Sequence, residues 1–489
     1  MKSNSTQAPK LGVITLALMN VAAIASLRNL PIMAECGLSM LFFYTVATVA
    51  FFLPSALVSA ELATAWPKAG GVYVWVKEAF GEEFGFLSVW LQVAKGFVWF
   101  PAVLAFVAGT LSYIINPEWA ESRYYTLGVI LSLFWLSIYI TSRGYQVSEA
   151  ITSFGSLFGT IIPGLFIIGL GGYWLFSGNP VQVSWSDAII PDLTATHELT
   201  FLASTLIAFC GMELAAVHAQ DVENPQRDFP KAILLASVLI LLVSFLGSMS
   251  IAMIVPQESI TLDAGIIQAF ASIFQSIHMA WLTPIMAIVL VFGAIGAIQM
   301  WLLSPAKALL ITAENGNLPP LFQKLNAHGI PVPILVGKGV IITVFSFFFL
   351  LMPSVNSSFW VLTAIMASIY LTMYMLLFSA AIVLRFKRPE VHRPFRVPGG
   401  NFGMILLSSL GFMASLFGFI IAFFPPTSKL SMGNLVRLEI LQVCAILFVI
   451  LTPFVIMRFR RRHWRPVSKE NPQSIHEISE LTKNLENVL

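Results

Sequence analysis

The stretch VAAIASLRNLPIM, residues 21–33, opens as the first apolar segment of the chain, yet it holds an arginine, an asparagine and a proline. A charged side chain inside a bilayer is costly, and a proline within a helix removes a backbone donor. A first membrane segment carrying Arg28 beside Pro31 therefore reads as a helix interrupted part-way across.

The rest of the chain makes a membrane the natural setting. Of 489 residues, 57% are hydrophobic and 10% charged, and the mean hydropathy is +0.83. A soluble chain of this length would divide into several domains and cover them with charge. Here apolar runs recur at 11–33, 39–64, 84–115, 124–142, 150–177, 199–219, 232–256, 280–311, 332–353, 358–385, 402–425 and 435–458. Each is about twenty residues or more, enough to cross a hydrocarbon core of ~30 Å. The sequence predicts an all-α polytopic membrane protein with twelve transmembrane helices. The first run is too long for a signal peptide, and no small-residue cleavage site follows it.

Other classes find little support. Cys36, Cys210 and Cys444 are scattered and odd in number, which gives neither a disulfide framework nor a metal spacing. AGG at 69–71 has no preceding strand and no Gly-Lys-Ser/Thr after it, so it is no phosphate loop. No nucleophile–base pair stands out. Neither enzyme activity nor a cofactor or metal is expected, and a net charge of +3 does not point to nucleic acid.

Charge in the connections sets orientation. Residues 178–198, 257–279 and 353–357 contain no Lys or Arg, whereas FKRPEVHRPFR (386–396) and RFRRRHWRPVSK (458–469) are densely basic. The positive-inside rule then puts residues 1–10 and the tail 459–489 in the cytoplasm, as an even number of crossings requires. Lys429, in the 426–434 connection, runs against the trend. In the tail, Ile475, Ile478, Leu481 and Leu485 recur at helical spacing and predict a short amphipathic helix.

A second interruption is legible in the sixth run, FLASTLIAFCGMELAAVH (201–218), through Gly211 and Glu213. Runs one and six open two five-helix units, 11–177 and 199–385. An odd number of crossings turns one unit upside down relative to the other, and 402–458 adds two helices. A helix broken at mid-depth exposes backbone N–H groups on one side and carbonyls on the other. Two such breaks face to face suit a zwitterion, such as the head of an amino acid.

Three stretches carry a family resemblance. They are AELATAWPKAGGVYVWVKEAFGEEFGFLSVW (60–90), FCGMELAAVHAQDVENPQRDFPKA (209–232) and LLSPAKALLITAENGNLPPLFQKLNAHGIPVP (302–333). In this order they resemble the amino acid–polyamine–organocation transporter superfamily. ITLDAGIIQAF (260–270), FRVPGGN (395–401) and FIIAFFPP (419–426) are similar to its bacterial glutamate/γ-aminobutyrate antiporters. The resemblance implies a leucine-transporter-type fold, a five-plus-five inverted repeat with discontinuous helices one and six, in the bacterial inner membrane. It also implies exchange of glutamate for γ-aminobutyrate by alternating access, in the context of acid resistance. The expected partners are the substrate, its counter-substrate and the lipid bilayer, with the protein a monomer or homodimer.

By the same resemblance, Ala25, Ser26, Leu27 and Arg28 of the first break and Phe209, Cys210 and Gly211 of the second hold substrate. Trp301 matches an occluding tryptophan, Tyr370 and Tyr374 match gate or binding tyrosines, and Glu213 matches a gate-region acid. The family's glycine–serine–glycine break is replaced here by Ile24-Ala25-Ser26. The tail is shorter than a folded plug.

Alternatives stand beside each role. Arg28 could pair with a substrate carboxylate or a buried acid, snorkel to the outer interface, or seal a gate with Glu35. Glu213 could be a protonation-sensitive element or a carboxyl bonded to freed backbone groups. Lys95 could be a fixed charge replacing sodium, or a partner for Glu61 or Glu213. His218 could sense pH or simply end the sixth run, and the aromatics could be belt or packing residues. Lys307 and Lys338 read as interfacial. The rival substrates are arginine/agmatine or a neutral amino acid taken up with protons, and the rivals by class are a channel or a nutrient receptor.

Overall fold

The structure is a computed structural model that describes residues 11–464 except 69, 184–187, 193–195, 257–264, 348–349, 351–354 and 425–431. Residues 1–10 and the amphipathic segment expected within 465–489 lie outside the described residues.

Among the described residues every regular element is helical. In chain order these are α1 (Val13–Ile24), α2 (Leu30–Ala34), α3 (Met40–Ala47), α4 (Leu53–Ala65), α5 (Val72–Phe80) and α6 (Glu82–Ile115). Then come α7 (Arg123–Ser142), α8 (Tyr145–Ser156), α9 (Ile162–Phe176), α10 (Thr196–Ala208), α11 (Pro225–Ile254) and α12 (Gly265–Ser276). The chain continues with α13 (Leu282–Glu314), α14 (Val332–Ser346), α15 (Val355–Lys387), α16 (Gly400–Ile421) and α17 (Met432–Arg458).

Nine helical stretches among the described residues are long and apolar enough to cross a membrane. Shorter apolar helices at Leu199–Ala208, Val332–Ser346 and Gln442–Arg458 fall where three of the remaining runs were expected. The sixth run is interrupted near its glycine, as expected: its α-helix ends at Ala208, and the chain then unwinds and tightens into a 3-10 stretch, Leu214–Asp221.

The most buried rod organises the rest. Within α6, 72% of the most apolar stretch is buried inside the protein, against 28% for α16, so α6 is the central column and α16 a peripheral one. Helices α13 and α15 pack on α6, while α1 lies on α8 and α11.

Two wide turns, Thr48–Phe52 and Leu157–Ile161, join α3 to α4 and α8 to α9, each closed by a bond from residue i+5 to residue i. Each sits just before a proline, Pro54 and Pro163. A proline lacks the N–H that the carbonyl four residues earlier requires, so the ladder slips by one residue.

The second wide turn meets α13 with almost no space between backbones. A Cβ on Gly159 would fall 2.1 Å from the Gly293 nitrogen, and one on Gly155 would fall 2.6 Å from the Phe292 carbonyl oxygen. Such a seam of small residues lets helices approach closely in lipid. Gly159→Ala should therefore lower stability by about 2 kcal/mol, because backbone must part to admit the methyl. An unchanged unfolding midpoint in detergent would contradict this close contact.

Candidate functional site

The first break lies earlier than its proline. Helix α1 ends at Ala25 (φ −70°, ψ 90°), Ser26 is extended, and Leu27–Asn29 forms one 3-10 turn before α2 begins. Pro31 sits in the first turn of α2, where its missing N–H costs nothing. The proline thus starts the second half-helix and does not interrupt the first.

The second break is built on a glycine. Gly211 has φ +132°, a region that side chains with a Cβ rarely adopt. It also lies against the first break. A Cβ there would come within 3.0 Å of Ile24 Cγ1 and 3.5 Å of the Ala23 carbonyl oxygen. The family's glycines are missing from the first helix, and close approach is supplied here by the sixth.

Side chains from other helices take up backbone groups at the two breaks. The Trp301 indole Nε1 donates to the Ala23 carbonyl at 3.0 Å, and the Gly211 N–H donates to the Tyr374 hydroxyl at 2.7 Å. Tyr374 in turn donates to Glu213 Oε2 at 2.5 Å, and Tyr370 donates to Oε1. Gln92 adds a third donor, its Nε2 lying 3.2 Å from Oε1. Three donors converge on one fully buried carboxyl, which satisfies an acid that would otherwise be costly inside the protein. The partners of Glu213 are side chains of α6 and α15, and backbone joins only through Tyr374.

Lys95 has a different partner from those expected. Its Nζ stands 3.0 Å from the centroid of the Trp301 ring, with Trp99 at 4.6 Å and Tyr370 at 5.1 Å. It forms a cation–π cage and, among the described residues, no ion pair within 4 Å. Glu61 instead pairs with Arg385, near the C-terminal end of α15, at 2.6 Å and with Arg393, beyond that end, at 3.3 Å.

A cavity of about 80 Å³ lies against this layer. Its wall includes Ala25, Ser26, Leu27, Arg28, Lys95, Cys210 and Trp301. Phe209, Gly211, Glu213, Tyr370 and Tyr374 are not in the wall. They form a second layer beneath it, with Phe209 packed on Phe52 at 4.7 Å and Tyr370 edge-on to Trp301 at 5.5 Å. His218 falls in the 3-10 stretch after Gly211, and its side chain lies outside the described residues. Lys307 is half-buried near the Tyr145 ring, and Lys338 is buried within α14, being 3% exposed.

Gln92 was not singled out from the sequence. It stands three residues before Lys95, on the same helix face, and a lone amide in an apolar run is a readable signal. Trp99 was likewise missed, and nothing distinguishes it from the many other aromatics of the chain.

The amino acid permease family model matches residues 11–450. An uncharacterized transporter of Legionella pneumophila is 40% identical over 453 residues, covering 93% of this chain and 97% of its own length. A glutamate/gamma-aminobutyrate antiporter of Lactococcus lactis is 30% identical, with 91% of this chain and 90% of its own length covered. The putrescine transporter PotE of Haemophilus influenzae is 26% identical, over 86% of this chain and 96% of its own length. With a match that runs through both helix breaks and the aromatic layer between them, the chain belongs to the amino acid permease family, within the amino acid–polyamine–organocation superfamily.

Proposed function

We propose that the protein is a secondary amino acid antiporter that exchanges glutamate for γ-aminobutyrate by alternating access. One observation carries the choice of substrate. Among the described residues, the cavity wall contains two basic side chains, Arg28 and Lys95, and no acidic one, while Glu213 is held out of the wall by two tyrosines and a glutamine. A cavity so lined favours a ligand with an extra negative charge and repels a cationic side chain. The likeness to a glutamate/gamma-aminobutyrate antiporter supports the same reading.

In this proposal the two breaks hold the α-amino and α-carboxyl groups, Arg28 meets the side-chain carboxylate, and Trp301 closes over the ligand. The architecture is twelve helices, a five-plus-five inverted repeat with broken helices one and six and two trailing helices. It lies in a bacterial inner membrane with both termini cytoplasmic.

Counterflow in liposomes decides the matter. Vesicles loaded with γ-aminobutyrate should accumulate radiolabelled glutamate and leave radiolabelled arginine outside. Arginine uptake without glutamate uptake would overturn the assignment, and uptake into empty vesicles would argue for a channel. Arg28→Ala should weaken apparent glutamate affinity about tenfold while changing that for a neutral amino acid less than threefold. Equal losses for both would make Arg28 a strut.

A further inference from the structure

Lys338 is a buried ammonium that the proposed cycle does not use. It belongs to α14, which packs on α6, α7 and α13 and contributes nothing to the cavity wall. Among the described residues no carboxylate pairs with it. Its Nζ donates to the Leu302 carbonyl at 3.3 Å and stands 5.4 Å from the Phe100 ring centroid. Burying a basic group without an acid is costly, so this contact asks for a reason beyond packing.

The reason lies in α13. Pro305 sits inside that helix, and a proline removes the bond to the carbonyl four residues earlier, here that of Trp301. The carbonyl that Lys338 meets, that of Leu302, is the next one along in the turn that Pro305 weakens. An ammonium with three donors can cap a carbonyl in such a turn. Trp301 is then fixed from three directions: Lys95 covers its ring, the Ala23 carbonyl of the broken helix holds its indole N–H, and Lys338 holds the backbone one residue on.

We propose that Lys338 is a positioning residue for Trp301, capping the turn that lacks Pro305's backbone bond so that the indole keeps its place in the cavity wall. The inference rests on the reading of Trp301 as the occluding residue. Lys338 reaches substrate through Trp301 alone and touches no part of the cavity.

A kinetic double-mutant cycle tests it, with exchange measured per folded molecule in glutamate-loaded liposomes. Lys338→Met should lower exchange turnover about tenfold with little change in KM, and Lys338→Arg, which keeps a donor, should recover most of the loss. In a Trp301→Ala background, Lys338→Met should cost less than twofold, because the residue through which it acts is gone. If the methionine variant does not fold, Lys338→Gln enters the same cycle as a second uncharged replacement.

Full additivity of the two losses would overturn the proposal. So would wild-type exchange in Lys338→Met and Lys338→Gln when Trp301→Ala is impaired. Wild-type exchange in Trp301→Ala would instead remove the occluding role itself, and this inference with it.

Discussion

Glu61→Ala is expected to cost the folded protein about 4 kcal/mol, the largest stability loss foreseen for a single substitution in this chain. Glu61 is 1% exposed and sits near the end of α4, where its carboxylate receives Arg385, Arg393 and the Val397 N–H, the last at 2.7 Å. The two guanidiniums are themselves buried. Arg385 also reaches Asn401, and Arg393 donates to the carbonyls of Leu384, Arg388 and Val391. Deleting the acid leaves two desolvated cations facing each other with a backbone donor unpaired. The knot closes the segment FKRPEVHRPFR back onto α4, so its loss should also expose that segment. Unfolding of purified protein in detergent–SDS mixtures measures the difference, and a loss under about 1 kcal/mol would show that the arginines find other partners. Glu61→Gln, which keeps an oxygen for Val397, should fall between the two.

The second large effect is on transport. Glu213→Ala should reduce exchange about a hundredfold in protein that still inserts and runs as a single species. It orphans three buried donors, those of Tyr370, Tyr374 and Gln92, each worth roughly 1–3 kcal/mol when left unpaired. Tyr374 loses the acceptor that orients its hydroxyl toward Gly211, so the sixth-helix break loses its support from α15. Radiolabelled exchange, normalised to protein in the vesicles, reads the effect. Transport within fivefold of the parent would mean that the break holds its geometry without the carboxyl. Glu213→Gln should be milder, since an amide oxygen still accepts from one tyrosine.

Much of this was written in the residue order. Arg28 and Gly211 announced the two breaks because a charge and a glycine are conspicuous inside apolar runs, and both breaks occur where those residues stand. What the order of residues could not say was who answers whom. Lys95 looked in need of an acid, yet an ammonium on three aromatic faces satisfies the same electrostatic demand, and rings from α6, α13 and α15 meet there only in three dimensions. Lys338 reads as interfacial from its place near the start of its run, and the carbonyl it meets, that of Leu302 on another helix, is set only by packing. Pro31 drew attention as a breaker, although a proline at the first turn of a helix is favourable. The sixth run shows the general limit. Apolar periodicity over 199–219 is the same for an α-helix as for a helix that unwinds at 209 and tightens afterwards.

The wide turn at Thr48–Phe52 has a consequence for the sixth-helix break. It stores one surplus residue in the second helical stretch, so everything on its far side is out of phase with everything before it by about 100°. Phe51 and Phe52 lie within the turn itself, where Phe51 meets the Tyr374 ring at 4.8 Å and Phe52 the Phe209 ring at 4.7 Å. Were the surplus let out, the rod would rotate like a key, and both phenylalanines would leave the tyrosine and the sixth-helix break together. One twist of a neighbouring rod is thus geared to the two residues that brace the unwound segment.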